Sequence, residues 1–319
     1  MKTFRRLLSY LKYEIRPFVL GLFLLLVSTI ATLTGPIIAK YLIDQVITPM
    51  EQTRVFEWET LLQGIGLYFV VTGIGYLCVY LNRVVMKNLS NRIAKRLRDE
   101  VFEHVQTLPI SYFDHLPAGK VVSRITSDTE SVRANFYVTG ISTLLSTIVT
   151  LIGVYIAIFM LHAGLAAALL VLIPLMLLWQ KTIAQLQRKL FSQNRELYSQ
   201  LSGQLNESLQ GAVIVQAFQQ EETIINEYEE KNKEWARVGH SELRLDAFFS
   251  WSLVALLKNI TLFCIVYFFS MQFIGGTLGI SAGLLYAFID YVNRIYEPIQ
   301  TFMNIVSGLQ QSMAAGDRV

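Results

Sequence analysis

Charged side chains set within apolar sequence are the first candidates for chemistry. Asp290, Arg294 and Glu297 fall at i, i+4 and i+7 of one helix face in LLYAFIDYVNRIYEPI, just before Pro298. Lys258 stands about midway along the apolar stretch 247–274. An ionised group in hydrocarbon is costly, so such residues either pair with one another or face a water-filled path for a substrate or ion. Both readings stay open. Under the second, Lys258, Tyr286, Asp290, Arg294 and Glu297 line a substrate path, with Phe288, Tyr291 and Tyr296 close by. Embedded aromatics also serve plain packing.

Other chemistry finds little support in the residues. Gly119-Lys120 is the only Gly-Lys pair, but Asp114 stands where a phosphate-binding loop needs its first glycine and Val121 where it needs a hydroxyl. Gly64/Gly66 and Gly73/Gly75 lie in an apolar stretch and read as sites of close helix packing. His104, His115, His162 and His240 are scattered, without nucleophile–base or metal-ligand spacing. Cys78 and Cys264 fall in apolar stretches and read as small packed side chains. No catalytic, cofactor-binding or metal-binding residue is assigned.

The elements that must carry the charges are membrane helices. Hydrophobic residues make up 53% of the 319 and charged residues 16%, with a mean hydropathy of +0.44. That balance belongs to a membrane protein, and a net charge of +3 gives no case for nucleic acid. A span needs about 20 apolar residues. Pro17–Ile38 and Leu61–Asn82 carry no charge, and Ala134–Gln180 has none over a length too great for one crossing. His162-Ala163-Gly164 divides that run into a hairpin, about 136–160 and 165–180. A fifth span covers 247–274, Gly275-Gly276 and Gly279 mark a turn, and a sixth helix begins near Ile280. The expectation is an all-α fold with six spans.

Lys and Arg mark the cytoplasmic side. Residues 1–16 hold five of them, 83–135 nine and 181–245 eight, whereas the 39–60 loop holds Lys40 and Arg54 against four acids. Both termini are expected in the cytoplasm, in a multi-pass protein of the cell membrane with no cleaved signal. Residues 2–12 form an amphipathic helix, with Phe4, Leu7, Leu8 and Leu11 on one stripe. The two long polar segments are rich in helix formers, and each reads as a pair of helices that runs out and back. The ~35 residues from Lys181 to Val215 would extend roughly 50 Å.

The turning points carry distinctive wording. Pro109, Phe113, Asp114, Gly119, Ser123, Arg124, Ile125 and Asp128 in LPISYFDHLPAGKVVSRITSD, with Glu207, Gly211, Ala217, Phe218 and Glu221 or Glu222 in the second segment, resemble the intracellular loops of ATP-binding-cassette (ABC) exporters. TGPIIAKYLIDQVI, LPAGKVVSRIT and LLYAFIDYVNRIYEPI look closest to one subunit of the heterodimeric multidrug exporters of Gram-positive bacteria. The resemblance implies an elbow helix at 1–16, a type-1 transmembrane domain at 17–305, and at 306–319 the start of a linker to a nucleotide-binding domain. It implies coupling to that domain through Phe113, Asp114, Gly119, Arg124, Phe218, Glu221 and Glu222, with ATP and Mg held there. A second exporter subunit, the bilayer and an amphipathic small-molecule substrate are the further partners implied. The sequence stops where that linker begins in the family, so a truncated or separated membrane domain without its own ATP site is expected. A lipid or peptide exporter, a gradient-driven carrier using Asp290 and Lys258, and a membrane scaffold are the alternatives.

Overall fold

The computed structural model describes residues 2–53, 57–114, 117–274 and 281–318, which are helical almost throughout and include no strand. In chain order, α1 (Lys2–Tyr10) leads through one 3-10 turn into α2 (Ile15–Leu42), and a π-type turn (Ile43–Ile47) leads to α3 (Thr48–Thr53). The 49-residue α4 (Trp58–Gln106) is followed by the short α5 (Ile110–Asp114) and α6 (Ala118–Ser123). Next come α7 (Thr129–Ser131) and α8 (Leu144–Leu161), flanked by π-type stretches at Arg124–Asp128 and Val132–Thr143. Then follow α9 (Ala163–Leu170), α10 (Leu172–Gln210), α11 (Ala212–Ala217) and α12 (Glu221–Leu245). A last π-type stretch, Asp246–Ser252, enters α13 (Leu253–Ile274), and α14 is Ala282–Arg318.

Four stretches are long and apolar enough to cross a membrane: Thr3–Met50, Trp58–Gln106, Gly119–Leu161 and Glu221–Gln272. They contain the expected spans at 17–38, 61–82 and 136–160 and most of that at 247–274. The expected fourth and sixth spans fall in α9–α10 and α14, outside those four; α14 carries Asp290, Arg294 and Glu297 within one short run. His162 ends α8 in an extended conformation, so the helix breaks where the turn was expected. The turn expected at Gly275, Gly276 and Gly279 lies outside the described residues.

The chain forms two compact units, residues 1–168 with 262–319, and residues 169–261. In the first, α2 and α4 pack antiparallel. Asn82 Nδ2 donates to the Gly21 carbonyl at 2.6 Å, Gly21 faces Met86, and Gly75 faces Ala31 and Thr32. Between apolar helices in lipid no water is expelled, so small residues and interhelical hydrogen bonds supply the cohesion. Gly64 faces Leu42, whereas Gly66 and Gly73 meet nothing within 4 Å, so the packing role expected of four glycines belongs to Gly64 and Gly75. Ala287, Phe288, Tyr291 and Val292 of α14 are buried, and the Tyr291 hydroxyl donates to the Leu33 carbonyl at 2.6 Å.

At the end of this unit that holds the N-terminus, Leu7 and Tyr10 meet Leu89, Ile93, Leu97, Val132, Phe136 and Ala315 in one buried cluster. The Tyr137 hydroxyl donates to the Leu7 carbonyl at 2.8 Å. The stripe expected along α1 is therefore split. Leu7 turns inward with Tyr10, while Phe4 and Leu8 stay exposed.

In the second unit α10 and α12 run side by side. Asn194 joins them, accepting from Trp235 Nε1 at 2.5 Å and donating to Glu242 at 2.6 Å, and Gln187 donates to Asp246 at 3.2 Å. Polar bridges do much of the joining here, since α12 buries none of its described residues.

Candidate functional site

The first polar excursion turns at α5 and α6. α4 ends at Gln106, just ahead of Pro109, and Pro117, with φ −54° and ψ 138°, sets the chain for α6. Phe113 is exposed on α5, its ring edge-on to Tyr112. Arg124 Nη1 donates to the Tyr112 hydroxyl at 2.7 Å, so this arginine braces the tip from the returning helix. A Cβ added to Gly119 would meet nothing within 4 Å, so packing inside this chain does not require glycine there. The side chain of Asp114 lies outside the described residues.

Behind this tip the returning helix is tied down. Arg133 pairs with Glu130 at 2.5 Å and donates to Asn91 Oδ1 at 3.3 Å, and Arg98 Nε donates to the Thr129 hydroxyl at 3.4 Å. The Arg133 hydrogen bond, more than its charge, holds the Glu130 carboxyl below its ordinary range. Asp128 is almost buried and receives both Nε (3.0 Å) and Nη2 (2.6 Å) of Arg318, a bidentate pair that fastens the loop to the end of α14. The same hydrogen bonds push the Arg318 guanidinium further up. Thr3 adds a hydrogen bond to the neighbouring Asp317.

The second excursion turns at α11. Gln219 has φ 51°, Gln219 N–H donates to the Gln216 carbonyl at 3.1 Å and Gln220 N–H to the Val215 carbonyl at 3.0 Å. Those two bonds are the Schellman closure of a helix, with a glutamine in the left-handed position that glycine prefers. The turn leaves Phe218 73% exposed. Glu221 and Glu222 occupy the first turn of α12, where acids suit the helix dipole.

Among the apolar helices, Arg294 Nε donates to Asp290 Oδ2 at 2.6 Å, each side chain about one-third exposed. Tyr286, one turn before Asp290, is exposed, whereas Phe288, Tyr291 and Tyr296 are buried and act in packing. Lys258 is half-buried on α13, in the other unit. The Glu297 side chain lies outside the described residues. At the far end of α2, Asp44 accepts from Ser281 Oγ (2.6 Å) and Gly283 N–H (2.9 Å) and pairs with Lys40 at 3.2 Å. A Cβ at Gly283 would collide with the Lys40 carbonyl and with Asp44, so this approach requires glycine. Ser281 before α14 is a legible N-cap; neither its remote partner Asp44 nor the Arg318 partner of Asp128 was expected.

Residues 18–299 match the family model described as the ABC transporter transmembrane region. The chain belongs to that family. YheH of Bacillus subtilis, named a probable multidrug resistance ABC transporter ATP-binding/permease protein, is 35% identical over 75% of this chain and 36% of its own length. The protein exp8 of Streptococcus pneumoniae, whose name calls it an ABC transporter ATP-binding protein, is 32% identical over 99% of this chain and 52% of its own. The multidrug resistance-like ATP-binding protein MdlB of Buchnera aphidicola (subspecies Acyrthosiphon pisum) is 28% identical over 99% and 53%. The chain thus spans between about a third and a half of the relatives it matches. The apolar helices of this ABC transmembrane region and its two polar excursions fall within or beside residues 18–299, as does the Asp290–Arg294 pair.

Proposed function

We propose that this chain is the membrane-embedded part of an ATP-driven exporter of amphipathic, multidrug-type compounds. One observation carries the reading: a chain of the ABC transmembrane family sends two helical excursions away from its apolar stretches, and each ends in a reversal that exposes an aromatic, Phe113 in one and Phe218 in the other. Aromatics exposed at polar tips are best explained as anchors for a covering partner. Here that partner is a nucleotide-binding domain, which takes up the ATP and Mg; the phosphate-loop pattern is absent from this sequence. Six spans, both termini in the cytoplasm and a dimer with a second, different subunit complete the proposal; the placement of Lys and Arg along the chain supports the orientation. Closing of the nucleotide-binding domains would move the excursions as levers and switch the access of a path bordered by Tyr286, Asp290 and Arg294.

The complete transporter, reconstituted in liposomes, provides the test. Phe113→Ala and Phe218→Ala are each expected to cut ATP-dependent uptake of a cationic amphipathic dye at least tenfold, leaving membrane insertion unchanged. Full transport by both variants would remove the docking role of the tips.

A further inference from the structure

A cavity of about 250 Å³ lies between the turn from α1 into α2 and the polar half of α4, lined by Tyr13, Glu14, Arg92, Lys95, Arg96 and Asp99 among others. We propose that it binds the phosphate headgroup of an anionic membrane lipid. Depth is the first argument. Tyr13 and Glu14 stand four and three residues before Pro17, where the charge-free run of α2 begins. That is about 5–8 Å of helical rise, the thickness of the headgroup layer beside a ~30 Å hydrocarbon core. The α4 residues are held level with them, because Arg92 pairs with Glu14 at 3.4 Å just as Asn82 pairs with Gly21 further in.

Charge is the second argument. Arg92, Lys95 and Arg96 line it beside Glu14 and Asp99; Glu100 just outside takes up Arg96, so Arg92 and Lys95 are the cations left to draw an anion. Arg96 is fixed, its guanidinium 3.6 Å from the centre of the Tyr13 ring and its Nε donating to Glu100 at 3.2 Å. Arg92 is two-thirds exposed with a long hydrogen bond, free to exchange Glu14 for a phosphate. Lys95 has no hydrogen-bond partner among the described residues. A phosphodiester satisfies such donors, and basic pockets at the polar end of membrane helices suit anionic headgroups. A zwitterionic headgroup would bring its own ammonium against the same cations.

An apolar surface for the acyl chain is the third. One residue beyond Glu14 begins an open apolar face of α2 made by Ile15, Val19, Leu20 and Phe23, with Arg16 beside them. All four apolar side chains are at least half exposed. The proposal rests on membrane embedding of α2 and is independent of what is exported.

Native mass spectrometry of the purified full chain in neutral detergent tests it, with phosphatidylglycerol, phosphatidylcholine and inorganic phosphate as probes. Phosphatidylglycerol adducts are expected to persist at concentrations at which phosphatidylcholine adducts are lost. One surface cation is worth roughly fivefold in affinity, so Arg92→Gln/Lys95→Gln should weaken phosphatidylglycerol about 30-fold. The equally charged change Lys231→Gln/Lys233→Gln on α12 should leave it intact. Lys95→Glu alone, at an exposed side chain, should remove the preference for the anionic lipid and serves if the double variant folds poorly. Equal retention of both lipids, or unchanged phosphatidylglycerol binding in the Arg92 and Lys95 variants, overturns the proposal. Displacement of the lipid by inorganic phosphate at equal concentration also overturns it and makes the cavity a free-anion site.

Discussion

Asp290 and Arg294 illustrate what a pair of residues contributes when water is scarce. They are one helical turn apart, bonded at 2.6 Å, and only about one-third exposed. Removing the cation strands a carboxylate, at a cost of about 2 kcal/mol. Arg294→Ala is accordingly expected to lower the folded yield severalfold in a detergent-extraction assay, and Asp290→Asn in the same chain to restore much of it. If yield instead holds while the preference between cationic and neutral dyes shifts, the pair acts mainly on substrate. The Glu130–Arg133 pair behaves differently. Because its carboxyl is held below the ordinary range, its contribution is present at neutral pH and lost as pH falls through the carboxylate range. Exposure on α7 keeps that contribution small.

At the scale of elements, the two tips solve the same problem by different means. The first uses Pro109 and Pro117 to interrupt helix, with Arg124 bracing Tyr112. The second uses helix capping, with Gln219 held at φ 51°. A side chain in the left-handed region costs roughly 1 kcal/mol. Gln219→Gly should relieve that cost and keep both capping bonds, so amide exchange at residues 219 and 220 is expected to slow or hold. Gln219→Val puts a β-branched residue where it fits worst and should speed exchange there at least tenfold. Equal exchange in both variants would mean that the cap is not set by Gln219. The α1 stripe belongs to this scale as well, since periodicity marked an apolar face on residues 2–12 but not its division between the Leu7 cluster and the outside.

For the whole molecule, the proposed function puts nucleotide binding on a domain other than residues 1–319. Titration of ATP and Mg onto the purified 319-residue chain is expected to give no saturable binding and no hydrolysis. Saturable binding would require a nucleotide site that no phosphate-loop pattern announces. The Asp128–Arg318 clamp belongs to this scale too. It fastens the first excursion to the end of α14 by two hydrogen bonds, so displacement of that end pulls on the loop directly.

The class of molecule was legible in local composition. Charge-free runs of span length, the polar excursions between them and the wording of 108–133 follow from local composition, and composition is what a bilayer sorts. The sequence also put Asp290, Arg294 and Glu297 on one face, because residues at i, i+4 and i+7 of a helix are neighbours. Contacts between residues far apart in the chain carry no such period. Asp44 to Gly283, Tyr291 to Leu33 and Asp128 to Arg318 were decided by how α2, α14 and the first excursion lie against one another. In apolar surroundings many faces pack comparably well, and the few polar groups that must be satisfied select among them. Only the folded chain shows which partners they find.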